Sequence, residues 1–170
     1  MKTLYDIHLN ENIPGYVVEQ IIIESAPHII FLARREKDGA SVILKTLLDQ
    51  YPKKEHLASL RREYQIISKI QGEGIIKVNA LVHFGNGKLA IEMEQFGISL
   101  DQHVLAFPKQ VLPLDQFFSI AIALVKSLGK IHEKEIIHKD IVPRNILVNP
   151  QTSEIRLIDF SAASELSREH

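Results

Sequence analysis

The stretch HKDIVPRNILVNPQTSEIRLIDF, His138 to Phe160, sets an acid, an amide and a second acid along one short path: Asp140, Asn145 and Asp159. Those side-chain types suit the transfer of a phosphoryl group from ATP, a chemistry made mostly of positioning and charge neutralisation. One carboxylate accepts the proton of an attacking hydroxyl, while an amide oxygen and the other carboxylate hold Mg2+ through hard oxygen ligands. For the three to meet, the chain must fold back between them. The apolar strand ILV, the turn NPQTSE and the strand IRLI supply a hairpin that returns Asp159 towards the loop.

Upstream elements must position this loop. Between Tyr16 and Leu48 the runs YVVEQIII, IIFLA and SVILKTLL are short and β-branched, with an Asp-Gly turn in EKDGA, and predict three antiparallel strands. Pro52 opens PKKEHLASLRREYQIISKI, where Leu57, Leu60, Tyr64, Ile67 and Ile70 recur at helical spacing before Gly72 and Gly74 end the pattern. Glu63 falls on that apolar stripe, so its carboxylate wants a cation. VNALVHF and KLAIEME, joined by GNG, predict a second hairpin. After Gly97 the texture turns helical: a short helix at LDQHVLAF and a long one at LPLDQFFSIAIALVKSLGKIHEK, with Phe117, Ile120, Ala121, Leu124, Leu128 and Ile131 expected on the buried face. His132 and His138 are expected to be packed or hydrogen-bonded, since no cysteine or further histidine cluster accompanies them as a zinc site would require.

Composition sets outer bounds. With 170 residues, 45% hydrophobic and 24% charged, the chain has room for one large domain or two small lobes. Twenty basic against twenty-one acidic residues give a net charge of −1, which offers no electrostatic case for nucleic acid. The absence of cysteine excludes a disulfide framework and fits a reducing compartment. MKTLYDIHLN meets Asp6 and His8 before any apolar run, unlike a signal peptide, and VVEQIIIESAPHIIFLA is interrupted by charge and proline, so no membrane span and a cytoplasmic location are expected.

With these residues in view, the chain resembles the protein kinases of serine/threonine type. HKDIVPRN is similar to their His-Arg-Asp loop with its downstream Asn, and IDFS to their Asp-Phe-Gly. The resemblance implies an α+β fold: an antiparallel β-sheet N-lobe with one αC-type helix over 1–97, a hinge at 94–97, and the start of a mainly helical C-lobe over 98–170. It implies ATP and Mg2+ as cofactors and a protein substrate as partner. Asp140 becomes the catalytic base, Asn145 and Asp159 the metal ligands, and His138 a structural support. SVILK makes Lys45 the phosphate contact, with Glu63 as its partner. Backbone groups from Glu94 to Phe96 would bond the adenine, beside Met93. Singly, each residue has an ordinary explanation: Lys45 a strand lysine, Glu63 a helix-surface charge, and Asp140, Asn145 and Asp159 turn and cap formers.

Departures from the family pattern bear on function. Ile23, Ser25 and His28 stand where the family's phosphate-covering loop has glycines, residues used there because the backbone must approach phosphate closely. Either Ser25 and His28 donate side-chain hydrogen bonds to the nucleotide or nucleotide binding is weak or lost. Lys139 replaces the loop arginine, Val142 a lysine near the transferred phosphate, and Ser161 the glycine after Asp-Phe. HKDIVPRNILVNPQTSEIRLIDFSAASELSRE also resembles the N-terminal kinase-like domain of very large bacterial signalling proteins with a sensor histidine kinase downstream, so further domains and a C-lobe cut short are expected. Three functions follow: a protein kinase domain, a non-catalytic pseudokinase module, or a small-molecule phosphotransferase of the aminoglycoside kind. The last usually has glycine where Lys139 stands.

Overall fold

A computed structural model describes residues 11–166; MKTLYDIHLN and residues 167–170 lie outside the described residues. The chain divides into two units, residues 11–64 with Val78–Gln95, and Gln65–Lys77 with residues 96–166.

In the first unit the β-branched runs form β1 (Tyr16–Ser25), β2 (His28–Arg35) and β3 (Ser41–Leu47), and the second hairpin forms β4 (Val78–Phe84) and β5 (Lys88–Glu94). They make one antiparallel sheet in the order β1-β2-β3-β5-β4. Strand alternation sends Ile29, Phe31 and Ala33 of β2 and Val42 and Leu44 of β3 into one apolar cluster, which Ile13 and Ile21 complete. A polar cluster shares that face. Glu92, opposite Leu44, is buried and accepts hydrogen bonds from Tyr16 Oη, Arg35 Nη1 at 2.6 Å and Asn79 Nδ2 at 2.8 Å. Burial and the facing carboxylate push the Tyr16 hydroxyl well above its usual pKa.

β1 and β2 are longer than the sequence runs suggest. They meet at a two-residue turn, Ala26-Pro27, with Ser25 opposite His28 and Ile23 opposite Ile30. The residues expected to form a phosphate-covering loop are thus ladder residues, because consecutive isoleucines favour extended backbone and nothing between Ile21 and Ser25 supplies glycine's freedom.

Helix α1 (Lys54–Lys69) crosses the division between the units. The rest of the second unit holds β6 (Ile98–Ser99), α2 (Leu100–Leu105), α3 (Leu114–Glu133), β7 (Ile136–Ile137), β8 (Ile146–Val148), β9 (Ile155–Leu157) and β10 (Ser164–Glu165), with small sheets β6-β8-β9 and β10-β7. Ile120, Ile131, Ile136, Ile146, Val148, Ile155, Leu157 and Phe160 are buried. Residues 65–77, which a division at residue 97 leaves with the sheet, belong to this second unit. Their tie is main-chain: Ile76 N–H donates to Leu157 O at 3.0 Å and Leu157 N–H to Gly74 O at 2.9 Å. No helix among the described residues is long and apolar enough to cross a membrane.

Two expectations need correction. Phe117 is 51% exposed rather than core, whereas Ile120, Ser127 and Ile131 are buried. A β-carbon on Gly74 would lie 1.8 Å from Ser127 Oγ, so the second unit favours the helix face carrying a small residue over the one carrying Phe117. His132 is exposed, because it lies one step round the helix from buried Ile131.

Gly97 joins the hinge segment to β6 with φ +40°, and a β-carbon there would sit 2.2 Å from Val148 O. Gly97→Ala should therefore cost about 2 kcal/mol or more, combining left-handed strain with a backbone clash. Urea unfolding checks this, and an unchanged midpoint would refute the close approach.

Candidate active site

The first unit contributes a buried ion pair. β-alternation turns Lys45 to the face opposite Val42, Leu44 and Thr46, between its cross-strand neighbours Ile30 and Ile91. Helical periodicity places Glu63 three residues after fully buried Leu60. Lys45 Nζ donates to Glu63 Oε1 at 2.8 Å and Oε2 at 2.9 Å, and both side chains are buried. Charges taken this far from water need each other, so the pair fixes the ammonium's position. Ile23 and Ser25 lie exposed at the end of β1, Glu94 ends β5, and Met93 is buried beside it.

The second unit contributes the loop. Val142, Pro143 and Arg144 lead into a short 3-10 turn, Pro143–Asn145, closed by Asn145 N–H donating to Val142 O at 2.9 Å. Pro143 fits because its fixed φ suits the first position of a turn. The turn buries Asn145 and aims its amide. Nδ2 donates to Asp140 O at 3.0 Å and to Asp140 Oδ2 at 2.8 Å, which leaves Oδ1 as the acceptor of the amide. The β8–β9 hairpin then brings the chain back, and Ile158 N–H donates to Asn145 O at 3.0 Å. Asp159 follows at φ +61°, half-buried, its Oδ1 accepting from Ser161 N–H at 3.4 Å.

His138 ties the two ends of this path. Its Nε2 donates to Ile158 O at 3.0 Å, its Nδ1 accepts from Asp140 N–H at 3.3 Å, and its ring lies 4.5 Å from that of fully buried Phe160. That bonding suits only the neutral ring, and burial lowers its pKa. Lys139, between His138 and Asp140, takes φ +68°. Two non-glycine residues in left-handed backbone beside the acids show the path held in a particular shape.

The donor set fits Mg2+. Asn145 Oδ1 and the Asp159 carboxylate are hard oxygens, and the Asn145 orientation is set by protein bonds before any metal arrives. Phe96 opens the second unit, its ring 4.3 Å from the Arg156 guanidinium. Sequence reasoning missed Arg144, whose Nη2 lies 3.6 Å from Asp140 Oδ2. An acid and a base four residues apart was the available signal.

Comparison with known proteins adds a family. Residues 26–170 match the family model described as protein kinase domain. Over 155 residues, 91% of this chain, the sequence is 31% identical to serine/threonine-protein kinase TIO of Arabidopsis thaliana, and the chain spans 11% of that relative's length.

Lys45→Met strands the Glu63 carboxylate without its ammonium and should destabilise the fold by about 3–5 kcal/mol, whereas Lys45→Met with Glu63→Leu should recover most of that loss. Chemical denaturation of both variants tests the pairing; equal loss in each would refute it. For His138, the unfolded ring takes up a proton near its ordinary value of about 6.5 and the folded ring only at lower pH. Stability is therefore full above about 6.5 and falls as pH drops from there towards the folded pKa. Unfolding curves between pH 7.5 and 5.5 should show a shallower pH slope for His138→Phe than for the parent; identical slopes would contradict the neutral, buried ring.

Proposed function

This chain belongs to the protein kinase domain family, and we propose that it transfers the γ-phosphate of ATP to a serine or threonine hydroxyl of a protein. The observation that carries the proposal is the Asp140–Asn145 arrangement: one residue binds both the main chain and the carboxylate of the other through its amide nitrogen, which keeps its amide oxygen as an acceptor. In this reading Asp140 accepts the hydroxyl proton, Asn145 and Asp159 hold Mg2+, and Lys45, held by Glu63, contacts phosphate oxygens. Bound Mg2+ would neutralise phosphate charge. The hydroxyl oxygen forms its bond to the γ-phosphorus as the bond from phosphorus to the β–γ bridging oxygen breaks, and ADP leaves with that electron pair.

In the same reading the adenine is assigned to backbone groups of 94–96, and Ile23 and Ser25 are assigned to the phosphate side of the nucleotide. The protein that carries the chain is proposed to be a cytoplasmic signalling protein of the bacterial multidomain kind, with further domains beyond this one. A second reading, a pseudokinase module, draws support from the β1–β2 hairpin, where Ile23 and Ser25 are ladder residues without glycine's backbone freedom.

The test is transfer of labelled γ-phosphate to hydroxyl peptides by the full-length protein. Asp140→Asn should lower the rate by about 100-fold or more with folding intact. Equal rates in parent and variant would overturn the assignment of the base. A folded parent that neither transfers phosphate nor binds ATP with Mg2+ would instead establish the pseudokinase reading.

A further inference from the structure

Helix α1 turns Leu60 and Glu63 inwards, where both are buried, and gathers positive charge on its outer face. Lys54, Arg61 and Arg62 are exposed, and so is Lys53, the residue just before the helix. Spacings of seven and eight residues put Arg61 and Arg62 two turns beyond Lys54 on the same side, about 12 Å along the axis. Ala58, exposed between them, offers only a methyl group as the floor of the face. Among the described residues none of these four cations has a side-chain hydrogen bond or ion pair, in contrast to Arg34, Arg35 and Lys88.

The placement of these charges runs against the stability of the helix. A helix begins at the positive end of its peptide dipoles, which repel a lysine at the first position and at the residue before it. That preceding residue favours a side chain able to accept from the free N–H groups. Lys53, whose main-chain oxygen accepts from Leu57 N–H at 3.1 Å, has only donors on its side chain. Glu55 is the acid of the first turn. Four cations against that one acid leave three net positive charges over residues 53–62, whereas the whole chain carries −1, so the surplus is local to this helix. A solvated face shaped for stability would interleave acids four residues from the cations. Ala58 occupies the position from which an acid would reach both Lys54 and Arg62. Several local rules broken together on one face mark a surface kept for another purpose.

We propose that this face of α1 docks an acidic peptide segment of a partner protein, with Lys54, Arg61 and Arg62 each taking a carboxylate and Ala58 leaving room for the peptide main chain. Charge complementarity selects an acidic occupant, and the extent of the face selects a peptide. Nucleic acid asks for a longer basic surface on a strongly basic domain, and this chain is net negative. A lipid surface asks for apolar side chains exposed beside the cations, and Leu60, Ile66 and Ile67 of α1 are buried. Carboxylates on a flexible segment adjust to cations on long side chains, and each arginine adds a planar fork that meets a carboxylate through two N–H bonds. This docking goes beyond phosphoryl transfer and does not depend on it.

The experiment follows the fluorescence anisotropy of a labelled peptide of alternating glutamate and serine, about ten residues long so that it spans the face when extended, on titration with the full-length protein. Affinity should fall about tenfold or more in the double variant Arg61→Ala with Arg62→Ala and in Lys54→Glu, and should fall steeply as salt rises. Two exposed lysines of the second unit serve as the control: Lys126→Ala with Lys134→Ala should change affinity by less than about twofold. A peptide with glutamine in place of glutamate should not bind. Thermal unfolding gives a readout of opposite sign. Lys54→Glu should unfold at a higher temperature than the parent while binding more weakly, because the helix end attracts the new charge and repels the old one. No binding of the glutamate peptide, equal affinity in parent and α1 variants, or an equal loss in the lysine control would overturn the docking face. Tighter binding of a single-stranded oligonucleotide or of phosphatidylserine vesicles, lost in the same α1 variants, would overturn the choice of a peptide as the occupant.

Discussion

A buried ammonium and a buried carboxylate tolerate little displacement, and much of the first unit follows from that. Lys45 reaches Glu63 only if β3 keeps its register, since a slip of one residue would send the lysine to the apolar face carrying Phe31 and Leu44. The same slip would put Val42, Leu44 and Thr46 on the charged side. The apolar alternation and the ion pair therefore specify one register by independent means. Glu92 does the same on the other face, collecting donors from β1, β2 and β4 onto one carboxylate of β5. Each face of the sheet thus has an acid that is satisfied only when several strands are in place.

The second unit reaches the same end through neutral groups. Asn145 spends both N–H donors on Asp140, and His138 spends one ring nitrogen on each arm of the path from Asp140 to Ile158. No carboxylate here is neutralised deep in the core. The acids stay partly open, and the order around them comes from an amide, an imidazole and the β8–β9 hairpin. The left-handed backbone at Lys139 and Asp159 is held by this network, because the flanking His138, Asn145 and Phe160 are all buried.

What could be read from sequence divides along physical lines. Glu63 could be read as a buried acid that wants a cation because helical spacing is a local pattern, and the structure pairs it with Lys45; Lys45 itself stood out only through the resemblance, and the loop acids and amide through their spacing, of which the structure joins Asp140 and Asn145 by hydrogen bonds. Phe117 was misplaced because α3 is apolar on more than one side: Leu114, Phe118, Ile122 and Val125 are exposed on it as well, so periodicity has no single stripe to select. The cluster around Glu92 left no signal, since Tyr16 lies 76 residues away and Arg35 57, and separate charged or polar letters do not reveal that they meet. The tight turn at Ala26-Pro27 went unread because Ile23, Ser25 and His28 were placed in a phosphate-covering loop, where the residues themselves favour extended chain.

The family model matches from residue 26, ten residues after the sheet begins at Tyr16, while the 155-residue likeness to the Arabidopsis kinase takes in more of the chain. β1 pairs with β2 through main-chain groups that every amino acid carries, and Val17, Ile22 and Ile23 are exposed on it. A protein trimmed at residue 26 would lose Ile13 and Ile21 from the cluster and Tyr16 from Glu92, and would leave β2 as a bare edge open to pairing with another molecule. The first strand of the sheet therefore closes both the apolar cluster and the Glu92 cluster and covers the edge of β2.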